Sequence, residues 1–185
     1  MNTNDEFDLG NVPDEYKERV RNLLNNNRKL FATKMTELGT ATQVKHTIRL
    51  KSNVPICLPY RRTPETQKKV MKEHIEEMEA HGIIRESTIP YAAPVLMVPK
   101  KTGDQRFWSD YRRLNSDTEK DKYPIPRTDV ILDALYGTQF FSSLDLFSGY
   151  WQIEIEESDK HKTAFVCEFG HYEFNRMPFG LTNAA

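Results

Sequence analysis

No run of this chain approaches the roughly 18 consecutive apolar residues that a membrane-crossing helix needs, and no segment shows the apolar centre of a secretory leader. Neither membrane spanning nor secretion is expected. Cysteine is scarce. Cys57 and Cys167 lie far apart and fit no zinc-ligand spacing, and a reducing compartment suits such a chain. The histidines include no HExxH pair, which removes that class of zinc hydrolase. Net charge is almost absent, with 26 basic residues against 27 acidic ones, so bulk charge does not advertise nucleic acid. Repeats and low-complexity tracts are missing too.

What is present is length for one domain or a little more, and enough aromatic residues to build a packed core. Charge is balanced overall but unevenly placed. Between Pro94 and Arg113 stand Lys100, Lys101, Arg106, Arg112 and Arg113, opposed only by Asp104 and Asp110. A local basic patch can meet phosphates whatever the total charge, although a plain solvated face has the same composition.

The element pattern is mixed. Residues 1–12 are polar and loose. Pro13-Asp14-Glu15 predicts a helix start, with Tyr16, Val20, Leu23, Leu24, Asn27 and Phe31 on one face. Residues 42–60 read as extended, with Val44, His46, Ile48 and Leu50 alternating and His46 a sheet residue rather than a ligand. Thr63-Pro64-Glu65 caps a second helix that buries Met71, Ile75 and Met78 and ends at Gly82. Two strands, Pro94–Pro99 and Arg106–Asp110, are joined by a turn through Gly103 that carries Lys100 and Lys101 at its tip. Residues 121–126 form an extended, proline-bearing linker. A short helix from Thr128 to Tyr136 buries Ile131 and Leu135 and stops at Gly137, Trp151–Glu156 alternates as a half-buried strand, and a last hairpin turns at Gly170-His171.

Residues 140–153, FFSSLDLFSGYWQI, stand at the centre of this pattern. Alternation places Asp145 at a strand end, just before the turn at Phe147-Ser148-Gly149. A carboxylate there suits a hard cation such as Mg²⁺, which takes oxygen ligands. It equally suits an Asp that only accepts from the turn amides of Ser148 or Gly149.

Six motifs follow one another in order: YAAPVLMVPKK, RFWSDYRRLN, DKYPIPR, SSLDLFSGYWQI, KTAF and MPFGLTNA. From about Leu38 onward the series closely resembles the reverse transcriptase of gypsy-type LTR retrotransposons, within the Pol polyprotein. The resemblance implies an α+β, right-hand polymerase fold. Residues 1–59 would be a connector following the protease region, 60–119 the first part of the fingers, 120–152 the first part of the palm, and 153–185 the second part of the fingers. Asp145 matches the first catalytic, metal-binding aspartate, with the Leu146 carbonyl as a further ligand. Tyr150 matches the aromatic gate that disfavours a ribose 2′-hydroxyl, next to Ser148 and Gly149. Lys100, Lys101 and Arg106 match the residues that hold the triphosphate, while Phe179 and Gly180 match the loop lining the nucleotide pocket. Asp110, Arg112 and Asn115 match the segment that supports the template.

Two departures stand out. Trp108-Ser109 occupies a place where this group usually has a small or sulfur residue followed by Val, and a Trp needs much more room. The YxDD box that carries the other catalytic aspartates does not occur in residues 1–185, so the chain reads as an N-terminal piece of a polymerase, inactive by itself. The resemblance implies RNA-directed DNA polymerase activity with two Mg²⁺ ions, Mn²⁺ being an alternative. The partners it implies are an RNA or DNA template with primer, dNTPs and the remaining palm, thumb, RNase H and integrase regions of Pol. It implies a cytoplasmic, particle-associated or nuclear location. A non-catalytic nucleic-acid-binding remnant and an unrelated α/β interaction domain are the rival classes. Without the YxDD hairpin as cover, Phe140 and Leu144 are expected to be exposed.

Overall fold

The computed structural model describes residues 7–99, 103 and 105–185. The chain divides into two compact units, residues 1–38 and 39–185. In the first, helix α1 (Asp14–Asn26) starts after Pro13, as the proline and the acids Asp14 and Glu15 favour. Two short 3₁₀ turns follow, Arg28–Leu30 and Met35–Glu37. Phe7 and Phe31 meet edge to face at 5.0 Å. The apolar stripe of α1 does not become core, since no residue of the helix is buried. Among its described residues this unit offers one helix and two turns, too little surface to cover it.

The second unit is a mixed sheet with helices. Strands β1 (Ala41–His46), β2 (Ile84–Glu86), β3 (Ala93–Pro99), β4 (Gln105–Ser109), β5 (Ile153–Ile155), β6 (Phe165–Cys167) and β7 (Gly170–Phe174) form two sheets. One has the order β2-β7-β6-β3-β4, and the other is the parallel pair β1-β5. Within the larger sheet β3 runs parallel to β6, and the other neighbours are antiparallel. The β3–β4 hairpin forms as the sequence predicts; it pairs Val95 with Ser109 and Pro99 with Gln105, with Gly103 at φ +92° in the turn.

Helix α2 (Glu65–Ala80) buries Met71, Ile75 and Met78, the predicted stripe, and Gly82 takes φ +65° just past its end. Its N-terminus has no side-chain cap. The Thr63 hydroxyl points instead at the Met71 sulfur. The helix touches both edge strands, β2 and β4, and so lies across the sheet. Phe165 is fully buried between Phe107 (5.3 Å), Tyr172 (5.7 Å) and Phe174 (5.1 Å). Burying a ring of that size contributes about 1.5–3 kcal/mol. Two hydroxyls in this core are matched. Tyr111 donates to the Thr163 carbonyl at 2.7 Å, and the Thr163 hydroxyl accepts from the Phe174 amide at 3.0 Å.

Asp159 ties β1 to the second half of the chain. It accepts from the Ile48 amide at 2.8 Å and from Lys162 at 2.6 Å, and Lys162 also donates to the Ile48 carbonyl. His46, at the end of β1, is a sheet residue as expected. Burial holds its pKa below the usual imidazole value, and the Asp159 charge only partly offsets this. Asp159 and Lys162 stand on a 3₁₀ helix, Glu157–Thr163.

Several sequence expectations fail here. Helix α3 (Arg112–Asp117) and strand β2 form where no regular element was anticipated. Helix α4 (Thr128–Leu135) forms and Gly137 follows it at φ +79°, but Ile131 and Leu135 are exposed. Residues 138–146, the supposed Asp145 strand, carry no regular structure. A strand needs a ladder partner, and no described strand pairs with this segment. Trp151 lies in a 3₁₀ turn, Gly149–Gln152, rather than in the strand that follows it.

Candidate functional site

Strand β4 supplies the platform. Side chains alternate across a strand, so Phe107 enters the core while Arg106 and Trp108 share the other face. The segment Pro178–Asn183 meets that face. The Arg106 guanidinium lies 5.8 Å from the centre of the Phe179 ring, a cation–π arrangement. Two residues along, the Trp108 indole lies against Gly180. A β-carbon on Gly180 would sit 3.0 Å from Trp108 Cζ2. The room that Trp108 needs therefore comes from the glycine, which also adopts φ +89°.

Two asparagines fix this segment by hydrogen bonds. Asn115, on α3, donates to the Gly180 carbonyl at 2.7 Å and accepts from the Thr182 amide at 2.8 Å. Asn183 donates to the Glu119 carbonyl at 2.8 Å and accepts from the Asp121 amide at 2.9 Å. Each side-chain amide uses both its donor and its acceptor, so the orientation of the segment is set by geometry rather than by packing alone.

The third contributor is the turn after residue 146. Ser148 adopts φ +45°, a region that costs a residue with a side chain about 1–3 kcal/mol. Gly149 follows, with Leu146 so close that an added β-carbon would lie 3.1 Å from its Cβ. This tight turn presents Tyr150, whose ring meets that of Phe179 at 5.1 Å and 87°, while Trp151 meets the same ring at 6.0 Å. Phe179 is thus the centre of a group formed by Arg106, Tyr150 and Trp151.

Asp145 and Leu146 precede this turn and are exposed. The Asp145 carboxylate makes no hydrogen bond or ion pair among the described residues, so the turn-capping alternative is not the one adopted. No group of three or more acids, histidines or cysteines able to hold a metal occurs among the described residues. Lys100 and Lys101 lie outside them.

Asp110 forms a separate cluster. It is buried, and Arg112 grips it with two side-chain hydrogen bonds, Nε to Oδ1 at 2.8 Å and Nη2 to Oδ2 at 2.7 Å. Arg61 donates to Oδ2 as well, at 3.1 Å. Hydrogen bonding from Arg112 is the chief reason the Asp110 carboxyl stays below its usual pKa. Burial opposes it, and the charges of Arg112 and Arg61 add to it.

The structure therefore brings Arg106, Ser148, Gly149, Tyr150, Phe179 and Gly180 together, with Asn115 as a brace. Asp110 and Arg112 sit in a second group. Sequence reasoning missed Arg61, Trp151 and Asn183. The Arg61-Arg62 pair was the available signal for the first. Nothing local marks Trp151 or Asn183, because their partners are remote in the chain. Behind Phe179, the Ser109 hydroxyl and Trp151 Nε1 are buried without a partner among the described residues. The former lies beside the Tyr111 hydroxyl, whose own proton goes to Thr163.

Residues 98–185 match the family described as reverse transcriptase (RNA-dependent DNA polymerase). The chain is 38% identical over 184 residues to the retrovirus-related Pol polyprotein from transposon 297 of Drosophila melanogaster, covering 97% of this chain and 17% of that protein. It is also 38% identical over 183 residues to the corresponding polyprotein from transposon gypsy of the same fly, again spanning 17% of the relative's length. Among solved structures, prototype foamy virus protease–reverse transcriptase superposes with a TM-score of 0.83 at 22% identity, covering 94% of this chain and 24% of that one. A foamy viral protease–reverse transcriptase in complex with RNA/DNA hybrid gives 0.76 at 21%, with the same coverage of both chains. At that identity the likeness shows a shared fold, an α+β polymerase-like one. The sequence relationship goes further, and the chain belongs to the reverse transcriptase family, alongside the Pol polyproteins of gypsy-type retrotransposons.

Proposed function

We propose that this chain forms the fingers (residues 60–119 and 153–185) and the first palm segment (120–152) of an RNA-directed DNA polymerase, preceded by a connector (1–59). The observation that carries the reading is the meeting of Arg106, Tyr150 and Phe179, from three remote segments, around one ring. A guanidinium beside a flat aromatic wall suits a nucleoside triphosphate. Arg106 offers a planar fork to phosphate oxygens, assisted by Lys100 and Lys101 as point charges. Tyr150 stacks beneath the sugar and blocks a 2′-hydroxyl, with Ser148, Gly149, Phe179 and Gly180 as the rest of the wall. Asp110, Arg112 and Asn115 support the template strand. A foamy viral relative was captured with an RNA/DNA hybrid, and a primed RNA or DNA template is the partner proposed here, together with the remaining Pol segments.

The exposed carboxylate of Asp145 has no competing cation among the described residues, and it fits a hard ion with oxygen ligands. Asp145 and the Leu146 carbonyl would hold Mg²⁺. Metal held there would supply Lewis-acid stabilisation of charge on the attacking and leaving oxygens of nucleotidyl transfer. One carboxylate and one carbonyl would not by themselves hold two ions.

Primer extension on a primed RNA template with Mg²⁺ and dNTPs tests this. Residues 1–185 alone should give no product. A longer polypeptide that adds a YxDD-bearing palm, a thumb and a connection should synthesise DNA. In it, Asp145→Asn should abolish synthesis while leaving primer-template binding largely intact. Extension by residues 1–185, or normal synthesis by the Asp145→Asn polymerase, would sink the assignment.

A further inference from the structure

Asp110 has one carboxylate and two guanidinium partners. Arg112 alone satisfies it, binding both oxygens and adding a 3.3 Å bond from its own amide. Neutralising a buried acid requires no second cation. Yet Arg61, from the segment just before α2, donates to the same Oδ2 that Arg112 Nη2 already occupies. The two nitrogens are separated by a single carboxylate oxygen. Two like charges so close repel each other, and the cluster carries an excess of one positive charge. Asp110 is 6% exposed, whereas the side chains of Arg61 and Arg112 are 47% and 80% exposed. The acid is therefore an anchor below the surface, and both forks have free N–H groups facing water.

We propose that Arg61 and Arg112 together form a clamp for one backbone phosphate of the bound nucleic acid, with Asp110 as the positioning residue that holds both forks. A phosphodiester carries one negative charge and two non-bridging oxygens, so it cancels the excess charge and gives each guanidinium an acceptor. The clamp reads no base. It fixes where the strand lies, as backbone contacts do. Arg61 is the new member, and its side chain joins the cluster through the hydrogen bond to Asp110. A surface ion pair made for stability alone would be worth about 0–1 kcal/mol and would leave the repulsion between the two cations unrelieved.

The inference rests on the polymerase reading, and one experiment separates the two. A labelled RNA/DNA hybrid is titrated with the 185-residue chain by fluorescence anisotropy across a range of salt. Arg61→Gln is compared with the unaltered chain and with Arg61→Lys. Glutamine keeps an amide donor for Asp110 but removes the charge, so melting temperature should hold. The slope of log K against log salt should fall by about one, and affinity near 0.1 M salt should drop roughly tenfold. Arg61→Lys should keep the slope and lose part of the affinity, because the charge survives without the fork. An Arg61→Gln chain with an unchanged slope would overturn the clamp while leaving the polymerase reading intact. Should Arg61→Gln unfold, Arg61→Lys decides: wild-type affinity there overturns the two-fork clamp, and reduced affinity at constant slope supports it. No salt-dependent binding by the unaltered chain would overturn both proposals.

Discussion

Gly180 shows how a single residue can license its neighbours. Trp108 fills the space that any side chain at 180 would enter, and the backbone at 180 is left-handed. Gly180→Ala therefore meets two penalties at once: strain of about 1–3 kcal/mol for the positive φ and overpacking against a rigid ring. Melting temperature should fall by several degrees, and nucleotide binding should weaken with it because Phe179 is adjacent. A variant as stable as the parent would mean that the 178–183 segment is free to move off Trp108. Asp110 sets a pH dependence of the opposite kind. Its carboxyl titrates below its ordinary value near 3.8 in the folded chain. Its ion pairs therefore stabilise the fold above that value and are lost as pH falls through the depressed one. Asp110→Asn should be less stable than the parent at neutral pH, and the two melting temperatures should converge below about pH 4. Glu157, held at about 2 by Lys160 and Arg85, titrates in both chains, so the difference between them isolates Asp110. A gap independent of pH would assign Asp110 a packing role instead.

At the scale of elements, what could be read from the sequence depended on whether an element's partner lay nearby. Helix α2 was legible because its methionines and isoleucine recur at helical spacing and all find the sheet. The β3–β4 hairpin was legible because its partner lies a short turn away. The same alternation failed at residues 138–146, where FFSSLDLF reads as a strand but has no ladder to join. Most of the candidate site was similarly legible. Arg106, Tyr150 and Phe179 were named from motif positions, whereas Trp151, Asn183 and Arg61 act through partners 28 to 64 residues away. The unpaired stretch has a measurable signature. Phe140 and Leu144 are 69% and 76% exposed, as expected for a strand without cover, and Val130, Leu132 and Tyr136 of the preceding helix and its end are exposed as well. Exposed apolar surface of this kind binds dyes and favours association. Residues 1–185 should enhance the fluorescence of an apolar dye, and adding the YxDD-bearing palm should quench that signal and sharpen the melt. A dye-silent chain with a sharp two-state melt would show that these side chains are already covered.

The second unit, residues 39–185, is stitched by contacts between distant segments. Strand β1 pairs with β5, β3 pairs with β6, and the Ile48 backbone is held by Asp159 and Lys162. Each link closes a loop of tens of residues or more before any bond can reward it. Assembly order follows from this geometry. The β3–β4 hairpin and α2 can form as soon as they are made, since their contacts are local. Residues 41–48 must wait for the 153–162 segment, so on a ribosome they remain unpaired while about a hundred further residues are added, roughly 5–20 s of synthesis. Pulsed hydrogen exchange during refolding should accordingly find hairpin amides protected first and those of Lys45, His46 and Ile48 last, and early protection of β1 would refute this order. The parallel β1–β5 ladder, a minor feature of the fold by size, is thus a clock: its closure marks the moment when both ends of the unit have arrived.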